Sequence, residues 1–131
     1  MKKTLLLLSL PLLSACTVQA DFIPEGNRLN NATVGIPYYG KIDIFGGRVF
    51  SNDIYGKQVI VGSIHPDNIG LHVQYCDEDK FNNCIQISGV PTKIGVAKVR
   101  IRGGIGGGMF STAGEFDKTY IITINEAKGD S

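Results

Sequence analysis

An all-β domain of about seven short antiparallel strands is the fold that this sequence predicts, on three observations. The first is a bias among apolar residues: from Cys16 onward the chain holds 16 Ile and 9 Val but only two Leu, Leu29 and Leu71. Branched side chains lose rotamer freedom in a helix and pack well on a pleated surface, so helices are expected to be scarce or absent. The second is punctuation. All 17 Gly follow Cys16, clustered at intervals with Pro, Asn, Asp and Ser, as tight turns between strands require. The third is a period-two alternation that gives each segment one apolar and one wetter face.

In chain order, residues 1–15 are a targeting segment. Met1, Lys2 and Lys3 precede a run with seven Leu between Leu5 and Leu13, and Ser14 and Ala15 stand before Cys16. A cationic start, an apolar stretch and small residues at a cleavage point make a secretory signal. The stretch is about half the ~20 residues needed to cross a bilayer, and Pro11 interrupts it. Residues 16–24 follow as a short tether, in which residues 17–24 reach at most ~26 Å when extended. The strand domain is expected at 25–126, with a tail at 127–131. Within it, Tyr38, Ile42 and Ile44 share a face opposite Lys41 and Asp43, and Val59 and Val61 alternate with Gln58 and Ile60. Leu71, Val73 and Tyr75 oppose His72 and Gln74; Val99 and Ile101 oppose Lys98, Arg100 and Arg102; Tyr120, Ile122 and Ile124 oppose Thr119 and Thr123.

The tetrapeptide Leu13-Ser14-Ala15-Cys16 resembles the lipobox of bacterial lipoproteins. The resemblance implies cleavage before Cys16, a diacylglyceryl group on its thiol and a further acyl chain on the new amino terminus. Several chains at ~0.8 kcal/mol per buried CH₂ make attachment to a membrane effectively permanent. Thr17 stands where an inner-membrane retention signal would place Asp, so the resemblance points to the outer membrane, with the periplasmic or surface face left open.

With Cys16 acylated, Cys76 and Cys84 remain as one pair in an oxidising compartment. If they join across two antiparallel strands, Tyr75 falls opposite Ile85, Val73 opposite Ile87 and Gln74 opposite Gln86, so apolar meets apolar and polar meets polar. The bridge then closes a nine-residue ring, residues 76–84, on the outer face, contributing about 2.6 kcal/mol on the chain-entropy argument. A structural role is expected, because Asp77, Glu78 and Asp79 raise a thiol's pKa rather than lower it.

A second resemblance follows from Thr33-Val34-Gly35-Ile36-Pro37-Tyr38, Gly46-Gly47, Ile87-Ser88-Gly89-Val90-Pro91-Thr92 with Gly95, and Tyr120-Ile121-Ile122-Thr123-Ile124. These segments look like the bacterial Ig-like modules of cadherin-like type, over residues 23–125. The resemblance implies an Ig-like antiparallel β-sandwich and no chemistry, since the motif is made of turn residues. The disulfide-closed acidic loop and the long Gly-rich segment before the last strand depart from the pattern.

With 13 basic and 12 acidic residues the chain carries a formal charge of +1, and removing residues 1–15 with Lys2 and Lys3 leaves it near −1. Nucleic acid is therefore an unexpected partner. The loop from Cys76 to Cys84 offers Asp77, Glu78, Asp79 and two amides as oxygen donors, which admits Ca²⁺, but lacks Ca²⁺-loop spacing and contains Lys80. No cofactor is expected, and a solvated hairpin tip with Phe81 as a protein contact is the preferred reading. Residues 103–108 superficially look like a phosphate loop, yet no helix is expected to follow. They are expected to form a flexible connection between the last two strands, with Met109 and Phe110 pinning it to the domain or to a partner. His65 and His72 lie in no zinc-ligand spacing. Lys98, Arg100 and Arg102, with Lys93 nearby, make a basic stripe that suits a wet sheet face or an anionic ligand. No catalytic constellation is visible. The functional expectation is a membrane-anchored, non-catalytic lipoprotein whose domain binds or scaffolds another envelope protein. The alternatives are an inhibitor or accessory factor of an envelope-targeting enzyme such as a lysozyme, entering its cleft with the acidic loop, and a Ca²⁺-dependent or carbohydrate-binding module.

Overall fold

The computed structural model describes residues 18–50, 62–76, 83–106 and 114–128. These hold nine strand segments and no helix: β1 Asp21–Ile23, β2 Ala32–Thr33, β3 Tyr38–Phe45, β4 Arg48–Phe50, β5 Gly62–His65, β6 Leu71–Tyr75, β7 Cys84–Gly89, β8 Gly95–Gly106 and β9 Gly114–Asn125. Two sheets result, ordered β1-β3-β7-β6 and β2-β9-β8-β4, with β5 also paired to β8. The segments outnumber the expected seven or so for two reasons. Segments β4 and β5 lie along one edge of β8, opposite residues 104–106 and 98–101. Segments β1 and β2 follow each other in the chain but pair in different sheets.

The alternation read from the sequence places the core. Ile42, Ile85 and Ile87 of the first sheet and Val99, Ile101, Tyr120 and Ile122 of the second are fully buried in one apolar cluster between the sheets. Lys41, His72, Gln74, Lys98, Arg100 and Arg102 point outward and are exposed. The expected alternation at 58–61 lies outside the described residues.

Three features differ from the sequence reading. Pairing is not wholly antiparallel: β2 runs parallel to β9, and an isolated parallel bridge joins Arg28 to Ile121. Paired backbone begins at Asp21, inside the stretch read as tether. Three residues of β9 hold it there: Tyr120 Oη donates to Pro24 O at 2.6 Å, Lys118 Nζ donates to Glu25 O at 2.8 Å, and Phe116 meets Phe22 edge-on at 5.7 Å. Finally, residues 103–106 are not a loose connection, because β8 continues through them, paired with β9 as far as Ile105 opposite Gly114. Phe50 explains this extension. Its ring lies where the Cβ atoms of Gly104 and Gly106 would stand, so an aromatic side chain from β4 covers a strand surface that has no side chains of its own.

Candidate functional site

Strand direction divides the sandwich into two ends with different surfaces. At the first end the chain emerges at Val18. Here β3 crosses to β4 through Gly46 and Gly47, and the β6–β7 hairpin and the β8–β9 pair also terminate here. The backbone of residues 18–20 occupies a slot lined by glycine. A Cβ on Gly46 would collide with Gln19 O and one on Gly114 with Val18 O, while one on Gly47 would press on the Val18 side chain at 3.0 Å. Phe45 and Phe50 stand at this end with half their surface exposed, 50% and 51%.

Asn83 closes the same end. Its Nδ2 donates to Ile44 O at 2.8 Å and Gly47 O at 2.6 Å, and its Oδ1 accepts from Val49 N at 3.2 Å. Its own carbonyl accepts from Ile44 N at 2.8 Å. One side chain thus ties the β6–β7 hairpin to the crossing from one sheet to the other. Sequence reasoning placed Asn83 only among the loop amides; no residue pattern signals such a latch.

Cys76 and Cys84 form a disulfide, and the hairpin register is Tyr75 opposite Ile85, Gln74 opposite Gln86 and Val73 opposite Ile87. Cys84 is buried, though it lies outside the apolar cluster between the sheets. Asp77, Glu78, Asp79 and Phe81 within the ring, Met109 and Phe110 in the next loop, and Cys16 all lie outside the described residues.

The second end is built by the turns that the Ig-like resemblance rests on. Gly35 N donates to Pro91 O at 3.0 Å, and Thr92 N donates to Ile69 O at 2.9 Å, which brings the turns before β3, after β7 and before β6 together. Gly35, Gly70, Gly89 and Gly95 all hold positive φ here, a conformation that other residues adopt at a cost. The apolar residues between them face solvent: Ile36 is 55% exposed, Val90 43% and Ile94 64%, with Val96 beside them. The reading of these motifs as turn chemistry overlooked the side chains they carry outward.

The outer face of the second sheet carries Lys98, Arg100 and Arg102. Arg100 makes a two-pronged contact with Asp117, Nε to Oδ1 at 2.9 Å and Nη2 to Oδ2 at 2.6 Å. This hydrogen bonding holds the Asp117 carboxyl below its ordinary range. A shallow depression of about 480 Å³ beside the pair is lined by Arg102, Gly103, Gly104, Glu115, Phe116 and Asp117, so the stripe is interleaved with carboxylates rather than uniformly cationic. His65 ends β5 and His72 lies on β6, both exposed. Among the described residues no three His, Cys, Asp or Glu side chains gather as a metal site, and no helix is long and apolar enough to cross a membrane. No family model, no curated protein and no solved structure matches this chain.

Proposed function

We propose that the chain is a non-catalytic lipoprotein of the bacterial envelope, anchored by lipid on Cys16, whose Ig-like sandwich docks another envelope protein through the end remote from the anchor. The observation that carries this reading is the exposed group Ile36, Val90 and Ile94, set on tightly hydrogen-bonded turns. Apolar side chains on a rigid support lose little entropy on docking and bury area that water disfavours. Strand-end turns are a standard docking surface of Ig-like sandwiches. The Ig-like assignment is supported by a first strand divided between the sheets, its second part parallel to the last strand.

A photo-crosslinking residue at Ile94 of the full chain, expressed in its own cells, tests the docking end. The expected outcome is one discrete protein adduct that Ile36→Glu abolishes. Equal adducts from Arg102 on the sheet face, or adducts indifferent to Ile36→Glu, overturn it. Intact mass spectrometry of the purified chain tests the anchor.

A further inference from the structure

We propose that the first end of the sandwich, presenting Phe45 and Phe50, rests on the bilayer surface that holds Cys16. This rests on the lipid-anchor reading and adds to it the face and the orientation. The length of chain outside the strands decides the geometry. Val18 is already seated in the glycine slot, so only Thr17 separates the seated backbone from Cys16, and the Cys16 Cα stays within ~7 Å of the Val18 Cα. The tether read from the sequence, up to ~26 Å, shrinks to a single residue because residues 18–20 pack against Gly46, Gly47 and Gly114. A domain held that closely cannot tumble freely above the headgroups, and the surface nearest the anchor meets them.

Two side chains at this end suit the contact. Phe45 closes β3 beside Gly46, and Phe50 lies over Gly104 and Gly106, each residue with half its surface in solvent. Half-exposed aromatic rings at a chain exit gain by entering the boundary between headgroups and acyl chains. Ile94 lies at the far end of β8 from Gly104 and Gly106, and Val90 just beyond β7, so both remain free for a protein.

The chain contains no Trp, which allows single reporters. Phe45→Trp, Phe50→Trp and Ile94→Trp are made in the full lipidated chain and reconstituted in phosphatidylethanolamine–phosphatidylglycerol vesicles with brominated acyl chains. Both reporters at the anchored end are expected to sit within ~5–10 Å of the acyl boundary and lose about half their emission, while Ile94→Trp keeps its own. A flexible Gly-Ser insert of about ten residues between Thr17 and Val18, spanning roughly 16–19 Å, is expected to lower the quenching at both. A lipid-bearing chain that floats with the vesicles but quenches at Ile94→Trp as strongly as at Phe45→Trp, or at neither, overturns the orientation and leaves the anchor standing. Quenching unaffected by the insert overturns the role of the slot. A chain whose mass shows bare Cys16 and which does not float overturns both.

Discussion

The Asn83 carboxamide supplies two donors and one acceptor to backbone groups at the point where β3 gives way to β4. At a crossing between sheets the chain leaves one ladder before it joins the next, and its polar groups need partners from elsewhere. Asn83→Ala strands Ile44 O, Gly47 O and Val49 N, and is expected to lower unfolding free energy by about 2–3 kcal/mol in urea melts. Two tyrosines give a pH response of their own. Burial pushes the Tyr38 and Tyr120 hydroxyls up from 10.0 to about 12, while Tyr38 Oη donates to Asn30 O and Tyr120 Oη to Pro24 O. A folded pKa above the unfolded one means that the folded state holds the proton more tightly. The stability this contributes is complete below pH 10.0 and lost as pH rises to about 12. Melts between these limits are expected to fall steeply, and less steeply in Tyr120→Phe.

Among elements, the β6–β7 hairpin was the most legible, because its register follows from parity once the cysteines are joined. Period two also located the buried faces of β3, β8 and β9, where Ile42, Val99 and Ile122 are fully buried. The signal failed where side chains are too few to show a period. Segment β1 has three residues and β2 has two, and residues 103–106 of β8 are three glycines and one Ile. In each case tertiary partners supply what local pattern does not: Phe116 for Phe22, Phe50 for the glycine surface. The candidate docking groups were less legible still. Phe45 lies on the outward parity with Lys41 and Asp43, but nothing in the sequence says that Val18 sits near it. Two predictions belong here. Replacing Cys76 and Cys84 by Ala is expected to cost about 2–3 kcal/mol in chemical denaturation, from the loop entropy of a short ring. Gly114→Ala places a methyl against Val18 O and is expected to release residues 18–20, at ~1–3 kcal/mol and with faster proteolysis near residue 18. Gly26→Ala, with nothing within 4 Å, is the neutral comparison.

For the molecule as a whole, residues 18–24 are structural. A chain starting at residue 25 loses β1, the Phe22 contact with Phe116 and the Pro24 acceptor of the buried Tyr120 hydroxyl. The combined cost is about 3–5 kcal/mol, a large share of the ~5–15 kcal/mol that holds a domain of this size folded. A melt of that chain beside one starting at residue 18 checks this, and equal midpoints would show that β1 is dispensable. The parallel run of residues 27–34 along β9 has a mechanical consequence. Leu29 N donates to Ile121 O, Ile121 N to Asn27 O and Val34 N to Asn125 O. Tension between the two termini draws these neighbouring strands in opposite directions along their length, so the rungs share the load in shear instead of opening one after another like a zip. Such a linkage resists force far better than its thermodynamic stability suggests.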